Sequence, residues 1–249
     1  MTSNSTFSCK ILVPVYKNRL SHNEALVIKN LLKFYEDSLI SIICPEELEI
    51  PTQLTHLKSE KFSKSYFKNI DGYNKLLLSE ELYTRFEKFD FILIHQLDAF
   101  IFKDELEYWC KQNYDYIGAP WLRDERFVAN LFRSKKIKDR DVIFNKVGNG
   151  GFSLRKTETF LDFIINHKDI IKKNTSHKLY GIEDVFWSII APQHMPFKIP
   201  NVAEAAKFAL DRKPDLGMQL NNFNLPFGCH GFEKNKTKPF WKKHIKGLT

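Results

Sequence analysis

Four short stretches of this 249-residue chain carry side chains suited to chemistry, and they lie far apart. The first is HQLDAF (95–100), where a run of core-type residues, FDFILI, ends in a carboxylate, Asp98. If the two-residue period of a strand continues, Gln96 and Asp98 point to one side and His95 and Leu97 to the other. A carboxylate with an amide beside it suits a hard divalent cation that neutralises a diphosphate, because such ions take oxygen ligands and share them with phosphates. The same Asp98 could instead cap the next turn or the FKDELEYW helix, a role also open to Asp104.

The second stretch is VGNGGFSLRK (147–156), which follows YDYIGAPW (114–121). Gly148, Gly150 and Gly151 allow close backbone approach to a ligand, or simply a glycine turn feeding the strand GFSLR. It is not a dinucleotide fingerprint, because Ser153 stands where the third glycine belongs, nor a P-loop, because no GK[ST] follows. In the third, LYGIEDVFWSII (179–190), Glu183 and Asp184 open an apolar helix. Acids there favour the helix dipole, but beside Gly181, which leaves room for a ligand, a carboxylate could also act as general base toward a hydroxyl. The fourth is FGCHGF (227–232); a lone His such as His230 is more often structural than a ligand.

Positioning these groups falls to alternating short strands and helical patterns, the signature of an α/β sheet. KILVPVY (10–16), SLISIIC (38–44) and FDFILI (89–94) read as strands; 22–37 and 71–86 read as helices. Open α/β sheets bind ligands beyond the carboxyl ends of their strands, and Asp98 lies at such an end. Composition fits this picture: 43% hydrophobic residues can build a sizeable core, and the net charge of +8 suits an anionic partner. Cys9, Cys44, Cys110 and Cys229 are too scattered for a disulfide framework or a zinc site, and a reducing, cytoplasmic setting is expected. Neither a signal peptide nor a bilayer-spanning apolar run is apparent.

Taken in order, VPVY, QLDAF, DYIGAPW, GNGGFSLR, GIEDVFW and CHGF resemble a GT-A-fold glycosyltransferase of the DUF5672 family and, more distantly, the β-1,4-galactosyltransferases. The resemblance runs over residues 9–232 and implies a single GT-A-like domain, a Rossmann-like mixed sheet with flanking helices. It further implies transfer of a sugar from a nucleotide-sugar donor, a UDP-sugar, to a hydroxyl of a glycan or lipid-linked acceptor, metal-assisted and with inversion. QLD stands in the place of the DxD motif, so the resemblance makes Asp98 a ligand of Mn²⁺ or Mg²⁺ and His230 the late histidine that completes coordination. Gln96 departs from the first Asp of that motif, and an amide brings no charge. Val13, Pro14 and Val15 resemble the segment cradling the nucleoside, Asn74 and Lys75 resemble residues facing the nucleotide sugar, and Gly150 and Gly151 resemble the loop that admits the sugar. EDVFW resembles an acidic motif in which Asp184 is the base and Glu183 orients the acceptor. Arg155, Lys156 and Lys75 are candidates for phosphate-facing charge, and Trp121 for an apolar face to a pyranose.

Two basic segments remain. The stretch 123–141 sits between two motifs and would suit a lid that orders over substrate, or a solvated face. The tail 233–249 interleaves Phe240, Trp241 and Ile245 with lysines, as an interfacial anchor giving peripheral membrane contact would, or as a solvated tail would. The rival readings are a metal-dependent nucleotidyltransferase, which would want a glycine-rich phosphate grip after the first strand, and a non-enzymatic module for anionic ligands. Nucleic acid is not the expected partner of the main reading.

Overall fold

The computed structural model describes residues 7–123 and 141–249. Its centre is a six-stranded mixed sheet of β1 (Cys9–Pro14), β2 (Ile40–Pro45), β3 (Lys58–Phe62), β4 (Phe91–His95), β6 (Tyr116–Gly118) and β7 (Phe152–Lys156), in the order β3-β2-β1-β4-β7-β6. The first four strands are parallel, whereas β7 runs antiparallel to both β4 and β6. A second, three-stranded sheet joins β5 (Ala99–Ile101), β9 (Gly228–His230) and β8 (Ala209–Leu210).

Strand periodicity separates two cores. Ile11, Val13, Phe91 and Leu93 enter one apolar cluster with Ile28 and Leu31 of α1 (His22–Phe34). Their neighbours Leu12, Ile92 and Ile94 enter the other, with Leu76, Leu82, Phe160 and Trp187. Each central strand is covered on both faces, so it reads as an unbroken apolar run. Helix α1 starts at a capping box: the Ser21 hydroxyl accepts from the Glu24 amide while the Glu24 carboxylate accepts from the Ser21 amide.

The helix expected over 71–86 is two helices, α2 (Ile70–Leu77) and α3 (Glu80–Arg85). Ser79 makes the break, its hydroxyl accepting from Leu82 N and donating to Leu76 O. The strand expected to start at residue 89 begins at Phe91, because Asp90 turns its carboxylate onto the Ser8 amide and hydroxyl. The cap readings for Asp98 and Asp104 fall away on α4 (Leu106–Lys111), whose N-cap is Glu105 and has no side-chain cap.

The tail beyond 232 is not an anchor with free aromatic side chains. Trp241 and Ile245 are fully buried in a third cluster with Val27, Phe232 and Leu248, and the Trp241 ring stacks on Phe102 at 5.4 Å. Neither reading of the tail, interfacial anchor or solvated segment, holds for Trp241 and Ile245: the tail's apolar side is already covered by protein, and its lysines are what face solvent. No helix among the described residues is long and apolar enough to cross a membrane. Apart from its ends, the segment expected to form a lid lies outside the described residues.

Candidate active site

Winding from β1 through β2 to β3 goes to one side, and the chain then returns to place β4 on the other side of β1. The gap at the carboxyl ends of β1 and β4 is therefore the topological switch point of the sheet, where open α/β folds form their ligand crevice. A crevice of about 600 Å³ occupies it, lined among others by Pro14, Tyr16, Phe67, Lys68, Gln96 and Asp98. Val13 and Val15 are completely buried, backbone included, and of this segment Pro14 and Tyr16 line the crevice. His95 is buried edge-on to Phe152, opposite in sense to Gln96, as the strand period requires.

Pairing of β5 with β9 sets Ala99 opposite His230 and so brings the late histidine to the residue after β4. His230 Nε2 lies 3.0 Å from Asp98 Oδ1 and 3.1 Å from Gln96 Oε1. Burial pushes the Asp98 carboxyl up, but His230, by charge and hydrogen bond, and Lys234 outweigh it and hold the carboxyl below its ordinary value. The carboxylate is thus kept ionised. Among the described residues no three His, Cys, Asp or Glu side chains form a metal-binding group. Here two such side chains are completed by the Gln96 amide oxygen, an acceptor without charge. Both gaps are hydrogen-bond distances, and it is the chemistry of the donor set, a carboxylate and an amide oxygen with an imidazole nitrogen, that suits a divalent ion such as Mn²⁺.

The glycine loop is the floor under this cluster. A methyl group on Gly151 would lie 2.1 Å from His230 Nε2 and 2.7 Å from Gln96 Oε1, and one on Gly150 would lie 1.6 Å from Glu183 Oε1. What fills the space above these glycines is therefore the protein's own side chains. Asn149, buried and held at a left-handed φ of 70°, ties the loop down. Its Oδ1 accepts from the Gly151 and Phe152 amides, and its Nδ2 faces His230 Nδ1 at 3.1 Å.

The acidic pair meets the same loop. Asp184 Oδ2 accepts from Gly150 N at 3.3 Å and its Oδ1 from Val185 N at 2.8 Å, at the start of the helical turn Glu183–Val185, which continues as a π-helical segment, Phe186–Ile190. Burial raises the Asp184 carboxyl, with the Gly150 and Val185 amides opposing. Glu183 differs from the expectation that it orients an acceptor. It is 3% exposed, and its Oε1 is bound by Arg155 Nη2 at 3.1 Å. Burial, against the pull of Arg155 and with the push of Asp184, raises its carboxyl to about 7. Arg155 is itself wholly buried, donating also to the Tyr83 hydroxyl and the Gly150 carbonyl, so its expected phosphate-facing role is corrected to that of an internal clamp.

Other expected residues separate in the same way. Asn74 is turned inward, its Oδ1 accepting from Glu183 N at 3.4 Å, while Lys75 is exposed. Gly181 gives room to the chain's own carbonyls, since an added methyl would meet Thr175 O at 2.6 Å and His177 O at 2.7 Å. Trp121 lies half-buried with its ring over Gly148. Sequence reasoning passed over Asn149, whose place between two glycines was its signal. It also passed over Asp211 and Lys234, joined to each other at 3.1 Å beside His230, for which no local motif exists.

The fold is GT-A-like, a mixed α/β sheet with flanking helices. Similar solved structures are an active-site mutant of LgtC (TM-score 0.52, 11% identity, covering 89% of this chain and 86% of that one) and mouse xyloside xylosyltransferase 1 (0.52, 12%, 91% and 98%). GlyE of Streptococcus pneumoniae is similar over 93% of this chain and 56% of its own length, with a TM-score of 0.51 and 12% identity. At such identities the likeness is one of fold. No curated protein sequence matches the chain. Residues 56–230 match the model of the DUF5672 family, described as a protein of unknown function, and the chain belongs to that family.

Proposed function

We propose that the protein is a glycosyltransferase that moves a sugar from a UDP-sugar to a hydroxyl of a glycan or lipid-linked acceptor, with Mn²⁺ or Mg²⁺ and with inversion. The observation that carries this reading is the meeting of Asp98, Gln96 and His230 at the switch-point crevice, on the same glycine loop that Asp184 grips. Asp98, Gln96 and His230 would hold the cation, and the imidazole nitrogen among these donors favours Mn²⁺ over Mg²⁺. When bound, the cation supplies positive charge against the departing diphosphate. Pro14 and Tyr16 offer the nucleoside a wall, and Lys68 a positive charge in the same crevice.

Asp184 is the base. Its raised carboxyl takes the proton of the acceptor hydroxyl as that oxygen attacks the anomeric carbon. The bond from that carbon to the diphosphate breaks, the diphosphate leaves with the electron pair, and a single displacement inverts the centre. Glu183 serves from behind: clamped by Arg155, it fixes the turn that aims Asp184. The test is release of nucleoside diphosphate from a panel of nucleotide sugars with and without Mn²⁺, in the presence of glycan and lipid-linked acceptors. Cation-dependent release from UDP-sugars is expected. No release from any donor would overturn the reading.

A further inference from the structure

His230 offers one ring nitrogen to the crevice and the other to the protein interior, and the interior partners decide which of them carries the proton. Asn149 Oδ1 is committed to two backbone amides, Gly151 N at 3.1 Å and Phe152 N at 3.4 Å, so the group facing His230 Nδ1 is the donor Nδ2. An imidazole that accepts at Nδ1 carries its proton on Nε2. That proton points at two acceptors, Asp98 Oδ1 and Gln96 Oε1. A ring in this state has no lone pair at Nε2 for a cation. The opposite tautomer needs an acceptor for an Nδ1 proton, and the carboxylate beside the ring is Asp211, 7% exposed, whose Oδ1 is held by Lys234 Nζ at 3.1 Å and stands 3.8 Å from Nδ1, so that a shift of about 0.5 Å is needed to bring it within hydrogen-bond reach.

We infer that Asn149 and Asp211 are positioning residues with opposite effects on His230: Asn149 holds the Nε2–H tautomer that closes the cluster on itself, and Asp211 receives the Nδ1 proton in the tautomer that presents Nε2 to a divalent cation. Groups behind a metal-ligating histidine fix its tautomer and raise its basicity, and losing them typically costs 10- to 100-fold in affinity. Here the two partners pull in opposite senses, so exchanging amide and carboxylate reverses the sign of the effect. The cation half of this inference rests on the proposed function; the tautomer half does not.

The test uses the full chain with ¹⁵N-labelled histidine. Long-range ¹H–¹⁵N spectra report the His230 tautomer without cation, and calorimetry reports Mn²⁺ affinity. The wild-type protein is expected to show Nε2–H. Asn149→Asp, which keeps the loop's acceptor oxygen but turns an acceptor on Nδ1, moves the proton to Nδ1 and tightens Mn²⁺ binding about tenfold. Asp211→Asn leaves the cation-free tautomer as it is and weakens Mn²⁺ binding about tenfold. A wild-type Nδ1–H ring, or a tautomer unmoved by Asn149→Asp, overturns Asn149's role. Unchanged Mn²⁺ affinity in Asp211→Asn overturns Asp211's. If the wild-type protein bound no Mn²⁺ while showing Nε2–H, Asn149's role would stand and both the cation reading and Asp211's role would fall.

Discussion

Replacing Gly151 by Ala probes the site through its most crowded point. The added methyl would lie 2.1 Å from His230 Nε2, 1.3 Å short of the 3.4 Å at which ordinary contact begins, and 2.7 Å from Gln96 Oε1. The ring cannot swing aside freely, because Asp98, Gln96 and Asn149 hold its two nitrogens. Overpacking of this kind costs about 1–3 kcal/mol, and each hydrogen bond given up adds about 0.5–1.5 kcal/mol. A total of about 2–4 kcal/mol in a chain of this size lowers Tm by roughly 5–15 °C. A displacement of about 1 Å among catalytic groups also lowers turnover by about 10²-fold. Thermal unfolding followed by circular dichroism, with and without Mn²⁺ and UDP, reads both consequences. Gly247→Ala is the control, since its methyl would find its nearest atoms 3.8 Å away and would strain only a φ of 89°. If Gly151→Ala melted like the wild-type protein and kept its ligand-linked shift, His230 and Gln96 would not be standing over that glycine and the reasoning would fail.

Three further outcomes follow from named contacts. Asp184→Asn should lower turnover by about 10²–10⁴-fold while donor affinity, measured by calorimetry, stays within about twofold of the wild-type value; equal loss of both would contradict its role as base. Trp241→Ala should cost about 3–5 kcal/mol in urea unfolding, because the indole is fully buried; a change of a few tenths would mean the tail is not part of the core. Burial raises the Glu183 carboxyl from an ordinary 4.5 to about 7, so the folded state holds this proton more tightly than the unfolded chain does. Its contribution is therefore fully present below about pH 4.5 and is lost as pH rises through about 7, a fall of about 3 kcal/mol that the Glu183→Gln variant should not show when unfolding is compared at about pH 5 and about pH 8.

Much of the sheet could be read from the chain because its strands are covered on both faces and appear as unbroken apolar runs, FILI above all. Asp98 was legible for the converse reason, as a charge where such a run ends. The partners of these residues were less so. Nothing local in GNGGFSLR says that the guanidinium of Arg155 turns inward to Glu183, since an arginine in a strand reads as surface until its neighbours are known. Asp211 reaches His230 only through the pairing of β8 with β9, a contact between short strands with no pattern of their own. In the tail, interleaved aromatic and basic residues left an interfacial anchor and a solvated tail both open, whereas Trp241, which ends the short helix Lys238–Trp241, and Ile245, whose amide donates to the Trp241 carbonyl, join one cluster with Phe102 and Val27.

The central claim is that Asp98 and His230 form one cation-dependent diphosphate site. Its most direct measurement is the Mn²⁺-dependent rise in Tm given by UDP, compared between the wild-type protein and Asp98→Ala. At 100 times Kd the wild-type protein should gain about 2.7 kcal/mol, and Asp98→Ala should gain nothing from the metal. An equal, cation-linked rise in Asp98→Ala, or a rise indifferent to Mn²⁺ in both proteins, would contradict the account.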